Sequence, residues 1–515
     1  MQKQIITSAI ALTLFGCGGG ESGNSGNPTP PPVKNYTISF LGTDFQATTG
    51  NCQIFGYGPE KENGSRDKII AYPLEPTKDY SVIIHNHDGS VRKIFENTNL
   101  SSNKLSFAQN EIPNDGYVSF AKFNTNGISH VTTFAKVLLP DSFFVYTDQA
   151  KRPSDPCLGS SNANPVKREV AGFITPKSAG IKHQYSGFNT VYQDLNADLA
   201  ENYLQDKSGE DEIEFVSQQL PLLAITYKTT ESGNQLLPPR SFKFIDFNQR
   251  GTKGNSIRLD NQENLIIDYN NDATLTSDLV IKNALLFVNG KQQLARANYA
   301  YLWQPLIKDG IVINDKFSYA ERVGDDNYYL YLEGKQDLPN AFTYWGVTHV
   351  VQGTVNKGAS LDADKVFDRI PEANRPTLNK CTTDPQRQCL TINTGSLSAA
   401  EGAQRVSLSA TLTIDSTRSL RQVLYTPIQS TLPILKFNNT DIDEGLEQKA
   451  TSVSFMVSES PEVKEAFLYQ HQNLAKPSLS DLSVDFIPLL KNIAAQQDQQ
   501  DLLKRQPYTW VWLEE

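Results

Sequence analysis

Long apolar runs are missing from this 515-residue chain. The stretch Ile5 to Phe15 reaches roughly half the ~20 apolar residues that a helix needs to cross a bilayer, so nothing reads as a spanning helix. Basic runs are missing too. No Lys/Arg cluster exceeds a pair and the net charge is −10, so no nucleic-acid partner is expected. Histidine (6 residues), cysteine (5), tryptophan (4) and methionine (2) are all scarce. The cysteines lack any C-x₂-C pair, which argues against structural zinc, and no cofactor is expected. The G-x-S-x-G elbow, the H-E-x-x-H helix and the Walker loop are also absent, which lowers the hydrolase and nucleotide-binding classes they mark. No fixed-period repeat is present, which disfavours a solenoid or propeller.

What remains is alternation. Hydrophobic content of 38% and charged content of 20% suit globular units with real cores. Apolar and polar residues alternate along short segments separated by turn signals, the pattern of half-buried strands. The fold class expected is mainly β: two or three β-sandwich domains, Ig-like or related, with one or two short helices after a disordered tether. The first domain, 35–168, holds strands at Tyr36–Phe40, Tyr80–Ile84, Val91–Phe95, Tyr117–Phe120 and Val131–Leu139. Asp88-Gly89 reads as a type I′ hairpin turn. The second, 169–358, holds strands from Val170–Ile174 to Thr348–Gln352 and a turn at Asn289-Gly290. Its one helix is expected at Asn189–Leu204, where Leu195, Leu199 and Tyr203 share a face. The third, 359–515, holds strands at Arg405–Ile414, Leu420–Tyr425 and Ser452–Val457. A helix over Val484–Lys504, started or interrupted by Pro488, precedes a last strand at Tyr508–Leu513.

The first residues carry a different message. Lys3, the apolar stretch Ile5 to Phe15 and then Gly16-Cys17 have the layout of an export signal. Leu14-Phe15-Gly16-Cys17 resembles the lipobox of bacterial lipoproteins, with Phe15 where that family usually has a small residue. The resemblance implies cleavage after residue 16 and acyl chains on Cys17. Two or more chains give stable anchoring at ~0.8 kcal/mol per buried CH₂. Gly18 follows where Asp would mark inner-membrane retention in the enteric pattern, so the resemblance implies the outer membrane. Residues 17–34, rich in Gly, Ser, Asn and Pro, form a spacer between lipid and body.

Four cysteines remain, and an even number in an exported chain suggests disulfides. Cys52 with Cys157 and Cys381 with Cys389 are the expected pairs, because each falls within one proposed domain. His85 and His87 would share a face if both lay on a strand, making them the one candidate metal pair. The plainer reading is a polar strand end entering Asp88-Gly89, and no metal is expected. Asp194-Leu195-Asn196-Ala197-Asp198, Asp268-Tyr269-Asn270-Asn271-Asp272 and Asp441-Ile442-Asp443-Glu444-Gly445 offer calcium-like oxygens. The first two lack the glycine and glutamate of a calcium loop, and the third is no stronger. Glu212 and Glu214 read as the wet face of a strand.

Aromatic ladders are the most distinctive feature of the body. Tyr299, Tyr301 and Trp303 share one strand face, and Tyr508, Trp510 and Trp512 share another. Burial is the better reading, because each ring removes roughly 150–250 Å² from water. Exposure would make them a binding platform for sugar rings or a partner. The expected function is a lipid-anchored envelope or surface lipoprotein with a structural or interaction role, similar in plan to surface lipoproteins of Gram-negative bacteria. A glycan-binding or adhesive role through the ladders is the second reading and a hydrolase the third. The partners expected are the membrane, through the lipid, and a protein or glycan.

Overall fold

The alternation read from Tyr36-Thr37-Ile38-Ser39-Phe40 is what the backbone does: Tyr36, Ile38 and Phe40 point into a core and Thr37 and Ser39 lie half-buried between them. A computed structural model describes residues 34–514 with gaps. The longer gaps are 148–155, 160–168, 176–183, 191–203, 206–211, 230–235, 260–272, 291–298, 352–359, 363–375 and 470–486. The chain divides after Lys34, and Asn35–Glu515 form one compact unit.

The first stretch supplies β1 (Asn35–Gln46), β2 (Ile54–Glu60), β3 (Arg66–Pro73), β4 (Tyr80–His85) and β5 (Val91–Phe95). It continues with β6 (Lys104–Ala108), β7 (Tyr117–Lys122), β8 (Ile128–Ala135) and β9 (Ser142–Tyr146). Next come β10 (Glu169–Thr175), β11 (Gln184–Thr190), β12 (Leu204–Gln205), β13 (Ile213–Gln218), β14 (Leu222–Thr229) and β15 (Leu236–Ile245). After the short β16 (Ile257–Arg258) and β17 (Ala273–Thr276) lie β18 (Ile281–Asn289), β19 (Ala300–Lys308), β20 (Ile311–Val312) and β21 (Lys316–Phe317). A long hairpin, β22 (Tyr328–Leu338) and β23 (Ala341–Val351), precedes β24 (Ser360–Asp362), β25 (Thr377–Lys380) and β26 (Gln388–Thr391). The last part holds β27 (Gly402–Leu412), β28 (Ser419–Pro427), β29 (Thr431–Pro433), α1 (Thr440–Glu444), β30 (Leu446–Val457) and α2 (Pro461–Leu468). It ends with β31 (Leu489–Leu490), α3 (Ile493–Arg505) and β32 (Tyr508–Glu514).

The protein is mainly β, with few and short helices. Thirteen strands make its spine, in the order β20-β19-β18-β22-β23-β32-β30-β27-β28-β8-β7-β4-β5. All neighbours in it are antiparallel except β28 and β8. This sheet takes strands from every expected domain, because β8 pairs with β28 and β23 pairs with β32. The boundaries expected at 168 and 358 therefore do not divide it. Sequence spacing marks where strands begin and end, whereas pairing between distant segments decides which of them share a core.

Both faces of the spine are covered. On one, a six-stranded sheet built on β2-β3-β1-β9-β31, with β6 also on β1, packs face to face with it. Ile38, Phe40 and Val145 from that sheet meet Val82, Phe120, Tyr425 and Trp510 from the spine. On the other face the four-stranded sheet β12-β11-β14-β15 contributes Leu223, Ile225, Tyr227 and Phe242 to a core with Leu286, Trp303 and Leu330. On β18 and β19 the opposite face carries Leu285, Phe287 and Leu302 in a separate cluster beside α3. Burial on two sides explains why these strands read as near-continuous apolar runs: every residue from Ala284 to Asn289 and from Ala300 to Leu306 is buried.

Two turns differ from expectation. Between β4 and β5 the loop is wider than a type I′ turn, because only Gly89 has positive φ (+83°) whereas that turn needs two such residues. The Gly89 amide instead donates to Asn86 O and the Asn86 amide to Ser90 O, a turn followed by a left-handed glycine. Asn289-Gly290 is not a two-residue turn either, because Asn289 pairs with Ala300 and the Gly290 amide donates to Tyr299 O, with 291–298 outside the described residues. The type I′ geometry occurs at Asp309-Gly310 (φ +50° and +79°), between β19 and β20.

The helices differ as well. Asn189 and Thr190 lie in β11 and Leu204 in β12, so both ends of the expected helix are strand, and 191–203 lie outside the described residues. At the C-terminus Leu489 and Leu490 pair with β9, and the helix begins only at Ile493, where Asn492 caps it by accepting the Ala495 amide at 3.0 Å.

Candidate functional site

Cys17 and residues 1–33 lie outside the described residues, as do Asp194, Asp198, Asp268 and Asp272. Every other cysteine is paired as expected: Cys52 with Cys157 and Cys381 with Cys389.

The ladders turn inward. Tyr301 and Trp303 are 1% and 0% exposed, and Trp303 meets Phe242 and Tyr328 edge-on at 4.8 and 5.4 Å between ring centres. The buried Tyr227 hydroxyl donates to the Trp303 carbonyl, and burial raises the Tyr227 pKa above its usual value. On β32, Tyr508 and Trp510 are buried and Trp512 packs beside them half-buried. Tyr299 is half-buried next to α3, where burial and then Asp498 and Asp501 raise its pKa. Four of the six rings are buried and Tyr299 and Trp512 are half-buried, so the ladders pack as core and its margin and not as an open platform.

His85 and His87 part at the end of β4. His85 is fully buried, a bulge follows Ile84, and His87 sits exposed in the turn. No cluster of three or more His, Cys, Asp or Glu able to hold a metal exists among the described residues. Asp441 is exposed and pairs with Arg418 at 3.0 Å, while Asp443 accepts the Phe437 amide at 2.8 Å. Glu212 accepts from the Gly254 amide at 3.0 Å, and Glu214 is exposed as expected. These acids cap, pair or meet solvent.

What His85 does contact was not legible as a site. Its Nε2 lies 2.7 Å from Ser119 Oγ, Ser119 Oγ lies 2.7 Å from Thr133 Oγ1, and Gln422 Nε2 donates to Thr133 at 3.4 Å. These residues come from β4, β7, β8 and β28, four adjacent strands, and form a polar staircase inside the core. Burial pulls the His85 pKa down to about 4, and the Gly89 backbone opposes this without cancelling it. A histidine beside a serine hydroxyl is the pairing that activates a nucleophile. Here His85, Ser119 and Thr133 are all 0% exposed, so the closed structure presents no reactive oxygen to a substrate. The arrangement instead satisfies buried polar groups against one another.

The hairpin tip beyond His85 is a docking point. Burial raises the Asp88 pKa, but the Ser90 hydroxyl and amide and then Arg387 outweigh it and bring it down to about 2. Arg387 Nη1 reaches Asp88 Oδ2 at 2.6 Å and Nη2 donates to the Asp88 carbonyl. Arg387 lies inside the loop closed by Cys381–Cys389, and its carbonyl accepts the Cys381 amide at 2.9 Å. On the other side the Lys436 amide donates to Gly89 O at 3.0 Å, and Phe437 stands edge-on to His85 at 5.9 Å.

At the far end of the spine, Asp501 on α3 accepts the Ala300 amide at 2.6 Å and Arg505 Nε at 2.9 Å. Burial and then Asp501 raise the pKa of the neighbouring Asp498. Asp501 fastens helix to sheet through the Ala300 amide, whereas Asp498 lies exposed one turn away.

No family model matches the chain, and no curated protein does. Among solved structures the chain is similar to the chicken CNTN1 FN1–FN3 domains, at 7% identity over 56% of this chain and 91% of that one, with a TM-score of 0.09, a value that carries no argument.

Proposed function

We propose that this chain is an envelope lipoprotein held to the outer membrane by acyl chains on Cys17, its β body serving a structural or interaction role. The observation that carries the reading is Leu14-Phe15-Gly16-Cys17 directly behind the apolar stretch Ile5 to Phe15. Cysteine accounting supports it. Five cysteines less the four in disulfides leave Cys17 as the one thiol for other chemistry. Two disulfides also suit an oxidising compartment, which an exported chain reaches.

With the aromatic ladders in the core, the glycan-platform reading loses its main support. The polar staircase and the docked hairpin tip tie distant segments of the body together, which suits a structural or interaction module.

The test is mass spectrometry of the mature amino-terminal peptide with fractionation of membranes. The expected results are a fatty-acylated residue 17 and release of Cys17→Ser protein from the membrane fraction. An unacylated native protein, with Cys17→Ser still fully membrane-bound, would overturn the proposal.

A further inference from the structure

The thirteen-stranded sheet has a seam. One half, β20-β19-β18-β22-β23, comes from residues 281–351, and the other, β30-β27-β28-β8-β7-β4-β5, from residues 80–135 and 402–457. Between them lies β32, the last of the described strands. It runs antiparallel to β23 (Phe342 opposite Glu514, Thr348 opposite Tyr508) and to β30 (Ser452 opposite Glu514, Val457 opposite Thr509). Within this sheet its backbone is the link between the halves.

Within each half every strand has a partner without it, and one free edge is left on β23 and one on β30. The β22–β23 hairpin zips from Tyr328–Val351 to Leu338–Ala341, and β27 is paired along its length with both β28 and β30. β32 then inserts side chains to both faces: Tyr508 and Trp510 enter the core under α3, and Val511 enters the core on the opposite face. The Pro507 carbonyl, where the strand leaves α3, accepts the Ser458 hydroxyl at 2.9 Å.

We infer that β32 is a closing strand: the two walls, the β22–β23 hairpin and the β27, β28 and β30 pairings, form first, and β32 then fills the slot between β23 and β30 and joins the half-sheets. Long-range pairing must meet its loop-closure entropy before any contact rewards it. The walls of the slot pair locally, Tyr328 with Val351 in the β22–β23 hairpin and Leu412 with Leu446 between β27 and β30. In contrast, β32 must reach from Tyr508 back to Thr348 to touch β23, and the still longer pairing of Ile128 with Ser419 forms neither wall. It therefore has little to gain until both walls of the slot exist.

The test is pulse-labelling hydrogen exchange during refolding of the full-length, disulfide-intact protein, read by peptide mass spectrometry. Peptides covering 508–514 are expected to gain protection about tenfold more slowly than those covering β27, β28, β30 and the β22–β23 hairpin. In Trp510→Ala/Val511→Ala protein the late phase slows further while the early phases keep their rates. Protection of 508–514 together with or ahead of the walls overturns the inference, and so does slowing of the early phases by the double substitution.

Discussion

Fully buried polar side chains decide more about this molecule than its exposed ones. His85 shows why. In the unfolded chain its imidazole takes up a proton near the ordinary 6.5; in the folded core it resists until about 4. Between those values the unfolded state binds more protons. The stabilising contribution is therefore complete above pH 6.5, is lost as pH falls, and is exhausted below 4. The difference corresponds to about 3 kcal/mol for so deeply buried a ring. Urea midpoints measured from pH 7.5 to 4 are expected to fall in that window. His85→Gln, which keeps a hydrogen-bonding side chain beside Ser119, is expected to flatten the fall. A variant whose profile has the same slope as the parent would mean that another group carries the effect. Trp303 makes the complementary point at the apolar end. A ring that reads equally as core or as sugar platform becomes core once a second sheet covers it, and no local pattern reveals that sheet.

At the scale of elements, strands were legible and their connections were not. Period-two alternation locates Val91–Phe95 to the residue and most other strands to within a few. Turn dipeptides misled because the same Asp-Gly or Asn-Gly suits several loop lengths. Asp309-Gly310 makes the tight hairpin, whereas at Asp88-Gly89 the chain opens to dock on Ile434 and Arg387. Helix α2 had a signal that the apolar spacing hid, namely Ser460 as cap with Pro461 in the first turn. The candidate site was less legible than the fold. Ser119, Thr133 and Gln422 are unremarkable polar residues until strand order sets them beside His85. Gly89 and Gly254 separate backbone strain from docking. Both have φ near +80°, yet a Cβ on Gly89 would lie 2.8 Å from Ile434 O, while one on Gly254 would meet nothing within 4 Å. Gly254→Ala is expected to cost about 1 kcal/mol, the left-handed penalty alone. Gly89→Ala should cost about 2 kcal/mol or more, because the hairpin tip must also lift from the backbone at Ile434. Equal losses in thermal unfolding would show that the tip contributes nothing by docking.

At the scale of the whole molecule, the question is how so wide a sheet is held to one arrangement. Its edges are blunted: β5 presents Arg92 and Lys93 to solvent, and β20 is only Ile311–Val312. Its interior is assembled from segments far apart in sequence, so the unfolded chain has much freedom to lose, and the disulfides act on that freedom. Cys52–Cys157 spans 105 residues and Cys381–Cys389 spans 8. In the chain-entropy description the first is worth about 4.7 kcal/mol and the second about 2.5 kcal/mol. The native contacts run the other way. The short loop places Arg387 on Asp88, whereas the long one pins the segment 156–159, where the Leu158 amide donates to Ala71 O. If loss of unfolded-state entropy dominates, Cys52→Ala/Cys157→Ala lowers the urea midpoint about twice as far as Cys381→Ala/Cys389→Ala. If the reverse order is found, the Asp88–Arg387 docking matters more than the length of chain enclosed. Adding Arg387→Ala to the parent and to the Cys381→Ala/Cys389→Ala protein would then show it, because the arginine would cost stability only while its loop is closed.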